Sequence, residues 1–97
     1  FTEVYGDPNA DAPRMLFRAS DAGALAAKKP LLHPPGAHWS YSSGTTNLLQ
    51  RTLRETLEGN DMGYPAFARD HLFEPLGMAS AVLEPDSSGT FIGSSFM

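Results

Sequence analysis

The sequence predicts a mainly α fold with long loops and short terminal strands, organised as a single helical domain or subdomain over residues 1–97. Three observations carry this reading. From Gly44 to Glu58, Leu48, Leu49, Leu53 and Leu57 recur at helical spacing, with Thr52 and Thr56 on the same stripe. A second amphipathic stretch follows at about Pro65 to Phe73. Proline and glycine fall mostly between such stretches or at their edges, where they punctuate the chain.

Val4-Tyr5 reads as the end of a short strand, and Gly6-Asp7-Pro8-Asn9 as a turn. Asp11-Ala12-Pro13 opens a short helix through Arg18, with Pro13 near its start, where a missing N–H costs little. Ser20 is placed to cap a second short helix from Asp21 to Lys29. Its acid comes first, its two lysines last, and Pro30 follows, as the helix dipole and the proline rules favour. Leu31 to Ser40 is a loop stiffened by Pro34, Pro35 and Gly36.

In the Gly44–Glu58 helix, Asn47, Gln50, Arg51, Arg54, Glu55 and Glu58 form the polar face, and Gly59 suits the position just past the end. The leucine stripe predicts that Leu49, Leu53 and Leu57 are buried against the following helix, because a short connection makes antiparallel neighbours. On that second helix Tyr64, Phe67, Ala68, His71 and Leu72 share a face, with Phe67 read as core. Pro75 ends the helix and Leu76-Gly77-Met78 folds back as a tight turn. Ala81-Val82-Leu83 reads as a short strand. Pro85 to Gly89 is a turn leading into the apolar, strand-like run Phe91–Met97. That run stops abruptly and the chain opens on Phe1, so the sequence reads as a piece of a longer protein. An apolar run of this kind is also a place where the chain can pair with itself.

Composition narrows the function classes. The net charge is −4, and no basic cluster exceeds Lys28-Lys29, which argues against nucleic acid. No apolar stretch approaches a membrane span. With no cysteine, disulfides, thiol catalysis and zinc–thiolate sites are excluded. The histidines are His33, His38 and His71. Their spacing matches no familiar metal motif, and neither a metal nor another cofactor is expected.

The chemistry concentrates at Pro34 to Leu49, where Tyr41 stands immediately ahead of a helix start. There its hydroxyl can face an open site beside the positive end of the helix dipole. Tyr41 also fits a plainer role, an aromatic packed under a loop with its hydroxyl hydrogen-bonded. Ser42 or Ser43 can serve as the helix cap.

The surrounding pattern resembles a known family. Pro35-Gly36-x-x-Trp39-x-Tyr41-Ser42-Ser43-Gly44 leads into a Leu-Leu helix, then Tyr64-Pro65-x-Phe67 and Phe73-Glu74-Pro75-Leu76-Gly77-Met78. In this order they resemble the serine β-lactamase-like hydrolases: class C β-lactamases, penicillin-binding D-amino-peptidases, related esterases and 6-aminohexanoate-dimer hydrolases. The resemblance spans nearly the whole chain, most firmly Leu31 to Met78. It implies nucleophilic acyl transfer on an ester or amide. The serine of a Ser-x-x-Lys motif attacks the carbonyl, and the lysine shares proton transfer with the tyrosine of a Tyr-x-Asn-like motif. Tyr41 falls on that tyrosine and is the expected catalytic residue. Its hydroxyl is useful there if its pKa drops from the usual ~10, which a nearby ammonium and the dipole favour.

Two departures matter. Ser43 stands where β-lactamases often carry asparagine, and it is the expected substrate-binding residue. A hydroxyl reaches less far than an amide and offers fewer hydrogen bonds, which leans the reading toward an esterase, peptidase or small-amide hydrolase. Second, no serine has a lysine three residues on. The only lysines, Lys28 and Lys29, follow Leu25 and Ala26 at that distance. No Lys-Thr-Gly-like strand is present either. The resemblance therefore implies an internal fragment: the helical part that closes over the cleft, inactive alone, whose partner is the α/β part of the same enzyme and whose substrate is a small ester or amide. It also suggests a bacterial periplasm or cytoplasm, the compartment itself being open. Two other readings stand beside it. One is a stand-alone binding module using Trp39, Tyr41 and Phe17 as a surface patch. The other is a small independent hydrolase using Ser42 with His38 or His71, against which no acid is evidently placed to orient either histidine.

Overall fold

The computed structural model describes residues 1–95. The fold is mainly α, as expected. It comprises α1 (Asp11–Arg18), α2 (Ala22–Ala27), α3 (Ser43–Gly59) and α4 (Tyr64–Ala68), and α4 runs on into a π-helical turn at Arg69–Phe73. The strand expectations are not met. Val4-Tyr5 and Ala81–Leu83 are irregular, and among the described residues the only β pairing is an isolated antiparallel bridge between Pro85 and Phe91. Within the terminal apolar run Ile92 is buried, and residues 96 and 97 lie outside the described residues.

α1 forms where the sequence places it. Asp11 does more than open it: its carboxylate accepts from the Thr2 amide at 2.8 Å and pairs with Lys29 beyond the end of α2. The Lys29 hydrogen bond is the main reason its pKa falls to about 2. α2 begins one residue later than expected, because Asp21, not Ser20, supplies the cap by accepting from the Ala24 amide at 2.8 Å. An aspartate carboxylate in that position also meets the dipole favourably. α2 ends at Ala27, two residues short of Lys29, which is drawn toward Asp11 instead.

α3 is the spine, and it is turned the opposite way from the expectation. Leu49 is 65% exposed and Leu53 36%, and of the stripe only Leu57 is buried. The inward face is polar: Ser43, Gly44 and Asn47 are buried, and Gln50, Arg51 and Arg54 are half-buried. The reason is what packs there. α2 crosses so closely that a β-carbon on Gly23 would stand 2.7 Å from the Arg51 Cβ. Phe1 covers Gly44 just as tightly. The C-terminal segment then meets α3 through hydrogen bonds. Asn47, 1% exposed beside Met15, donates to the Ser43 carbonyl and the Ser94 hydroxyl, both at 3.0 Å, and accepts from the Gly93 amide at 3.0 Å. Arg54 donates to Thr90 Oγ1 at 3.0 Å and to the Ser88 carbonyl. Each of these bonds replaces contact with water that burial removes, so a polar helix face is tolerated inside.

The Asp86 carboxylate organises that segment. It accepts from the Ser88 amide and hydroxyl, at 2.9 and 2.6 Å, while its other oxygen accepts from the Ala22 amide at the start of α2. Burial opposes its ionisation, but these donors prevail and lower its pKa.

α3 ends one residue past the expected Glu58, and the left-handed residue is Asp61 at φ 56°, not Gly59. Met62 N–H reaches the Leu57 carbonyl at 2.8 Å and Asp61 N–H the Glu58 carbonyl at 3.2 Å, the two bonds of a Schellman motif. A β-carbon is strained in that conformation. Asp61→Gly is therefore expected to stabilise the chain by roughly 0.5–1 kcal/mol, after the added unfolded-state entropy of glycine is set against the relief. Urea unfolding reads this; a loss of stability would mean that the Asp61 side chain contributes something its geometry does not suggest.

The π turn corrects the next face. Inserting one residue into the helical register advances the inward position from Leu72 to Phe73. Phe73 is accordingly buried, whereas His71 and Leu72 are exposed and Phe67 is half-buried. Tyr64 is buried at the junction with α3. Its hydroxyl accepts from Gln50 at 3.0 Å and from the Phe91 amide at 2.9 Å, and its ring stacks on Phe91 at 4.9 Å.

Candidate active site

The loop from Leu31 to Ser40 folds around a turn at Pro34–Ala37, closed by a 3.1 Å bond from the Ala37 amide to the Pro34 carbonyl. Gly36 takes φ +80° there, the left-handed region a turn of this kind needs. The turn brings His33 and His38 together, with ring centroids 4.2 Å apart. From His38 the chain runs extended into Ser42, whose φ of −152° stops the helix from starting sooner. Ser42 is the cap: its hydroxyl accepts from the Thr45 amide at 3.3 Å.

Tyr41 therefore sits where the sequence places it, directly ahead of the cap of a 17-residue helix. It is 74% exposed, and it lines a groove of about 560 Å³ shared with Lys29, His33, His38, Ser40 and Thr45. An exposed phenol on a groove ahead of a long helix is in the right place to exchange a proton with a bound molecule. Trp39, two residues earlier on the extended segment, is 82% exposed.

Ser43 is placed differently. It is the first residue of α3, 3% exposed, and it does not line the groove. Its hydroxyl donates to Glu3 and lies 2.7 Å from the Tyr5 hydroxyl, while its amide donates to the other Glu3 oxygen at 3.0 Å. Tyr5 in turn donates to Glu3 at 2.7 Å. Burial works against the Glu3 charge, but the hydrogen bonds from Ser43 and Tyr5 outweigh it and lower its pKa. The structure thus brings Glu3 and Tyr5 to the start of α3 beside Ser43. Nothing local in the sequence announces this, since the contacts bridge about forty positions.

His71 lies on the exposed side of α4's extension, against the Phe67 ring and away from the lining of the Tyr41 groove. Among the described residues no three histidine, aspartate or glutamate side chains gather in a way that could hold a metal. A second cavity, of about 600 Å³, opens between α4 and the Gly77–Leu83 turns; it is chiefly apolar and contains no serine, histidine or tyrosine. No helix among the described residues is long and apolar enough to cross a membrane.

The helical layer presents an exposed tyrosine ahead of a capped helix, with the proline-glycine turn before it and the Phe73–Met78 turn after it. The chain belongs to the Beta-lactamase family, whose description matches residues 3–94. No curated protein and no solved structure matches it.

Proposed function

We propose that this chain is the helical part of a serine hydrolase acting on a small ester or amide, with Tyr41 as the acid–base group of its acyl-transfer site. The observation that carries the reading is the setting of Tyr41: exposed, on a groove, and against the N-terminus of α3. In the family's chemistry the nucleophilic serine and its lysine come from the α/β part, and Tyr41 returns a proton to the leaving group.

Surface and shape favour a chain that another body covers. Its accessible surface is 6539 Å², against about 5,400 Å² expected for a folded monomer of 10.4 kDa. Its radius of gyration is 14.5 Å, where an independent domain of this length has about 12.5 Å. The surplus of about 1,100 Å² is of the size one side of a stable interface buries. Leu31, Leu32, Trp39 and Leu49 are all largely exposed, on the loop that carries Tyr41 and on the outer face of α3. The occupant we assign to this face is the α/β part bearing the Ser-x-x-Lys serine.

The nearest serines to Tyr41 have no base of the required kind: the only lysines are Lys28 and Lys29, and Lys29 is paired with Asp11. The 97-residue chain alone is accordingly expected to turn over no chromogenic ester or β-lactam above background, and to gain no adduct from penicillin or a fluorophosphonate probe. Intact-mass spectrometry decides it. A single acyl or phosphonyl mass on Ser40, Ser42 or Ser43 would mean that the chain has its own nucleophile, and the reading as one half of a composite site would fall.

A further inference from the structure

Two phenols stand at the start of α3. Tyr41 lines the groove, and Tyr5 lies 2.7 Å from the hydroxyl of Ser43, the first residue of the helix that Tyr41 precedes. A site that relies on Tyr41 needs that helix start held in place.

The geometry of Glu3 supplies that. One carboxylate collects the Tyr5 hydroxyl, the Ser43 hydroxyl and the Ser43 amide, and the Tyr5 and Ser43 hydroxyls are also 2.7 Å from each other. This is a closed triangle of one acceptor and two hydroxyls, fixed to the first turn of the helix that Tyr41 precedes. The two hydroxyls and the amide converge on the one carboxylate, whichever hydroxyl donates to the other. We propose that Glu3 and Tyr5 are positioning residues of the Tyr41 site: the carboxylate pins Ser43 and Tyr5 to the start of α3 and so fixes the segment from which Tyr41 meets substrate.

This rests on the role assigned to Tyr41 above. The groups acting on Tyr5 are Ser43, Glu3 and Tyr41. The hydrogen bond with Ser43 eases loss of the Tyr5 proton, but the Glu3 hydrogen bond and charge, burial and the Tyr41 charge act against it, and the pKa is raised.

The test begins with the chain carrying ¹³Cζ-labelled tyrosine, titrated by NMR. In Glu3→Gln the Tyr5 midpoint is expected to fall. In Glu3→Asp, which keeps the charge, it is expected to stay closer to the original. Tyr64, held by its own burial and by Gln50, is the internal reference and stays in place. An unchanged Tyr5 midpoint in Glu3→Gln overturns the proposal. If loss of amide dispersion shows that Glu3→Gln has unfolded, Tyr5→Phe, which removes one hydroxyl from the triangle, carries the test in the complete enzyme, where kcat is expected to fall; an unchanged kcat overturns the proposal. In the complete enzyme Glu3→Gln is expected to lower kcat on an ester roughly ten- to hundredfold, with KM little changed, as a misplaced acid–base group does. It is also expected to move the pH profile of kcat. A full kcat and an unmoved profile overturn the positioning role while leaving Tyr41 intact, whereas a fully active Tyr41→Phe enzyme removes the reading on which the proposal stands.

Discussion

Tyr41→Phe in the complete enzyme is expected to lower the acylation rate on an ester or amide by on the order of 10²–10⁴, the usual worth of a positioned acid–base group. The substitution removes one hydroxyl from a side chain that is 74% exposed. Among the described residues no hydrogen bond depends on that hydroxyl, so thermal unfolding should scarcely change. A stopped-flow burst on a chromogenic ester separates acylation from deacylation. The loss should appear in the burst rate constant, with substrate binding little affected, because the phenol acts on a proton in flight rather than on the ground state. A variant with the wild-type burst rate would reduce Tyr41 to a loop residue, and the groove would lose its claim to be the active site.

The second large effect is on stability. Asn47→Leu keeps the branching and the number of heavy atoms and adds apolar surface at a position 1% exposed, which by hydrophobicity alone should help. It is expected instead to cost about 1–3 kcal/mol, because leucine returns none of the hydrogen bonds that Asn47 makes to Ser43, Gly93 and Ser94, and its larger side chain must enter a closed space. Leu49→Asn, the opposite exchange on the outer face of the same helix, should stay within about 0.5 kcal/mol in this chain, since Leu49 is already largely in solvent. Urea unfolding of the pair decides which side of α3 holds the fold. Equal losses, or a stabilised Asn47→Leu, would mean that the polar face is not the structural one.

That contrast shows what could and could not be read from the sequence. Helical period and capping residues are local, and they locate α1, the start of α3 and the loop before it to within a residue. They also put Tyr41 at its post. The leucine stripe, by contrast, says that α3 has an apolar side and nothing about whether this chain covers it. Which side turned inward was decided by Gly23, by Phe1 over Gly44 and by the hydrogen bonds of residues 88–94, all remote in sequence from α3. The π turn shifts Leu72 out and Phe73 in through one extra residue per turn, and a fixed period of 3.6 cannot anticipate that. Ser43 and Asp61 carry a related lesson. A serine near a helix start and an aspartate after its end look interchangeable with their neighbours. One is nevertheless enclosed by Glu3 and Tyr5, and the other takes the left-handed conformation that Gly59 seemed made for.

The inverted α3 has a thermal consequence. Unfolding an ordinary domain raises the heat capacity because apolar surface meets water, whereas newly wetted polar surface lowers it. Here the inward face of α3 is amide, hydroxyl and half-buried guanidinium, so part of what unfolding wets is polar, beside buried apolar residues such as Met15, Leu57 and Phe73. The heat-capacity change on unfolding should lie below the usual ~12–15 cal/mol/K per residue. A small heat-capacity change flattens the curve of stability against temperature. This chain should therefore lose little of its stability on cooling, and its midpoint on heating should respond steeply to each hydrogen bond removed from the inner face of α3.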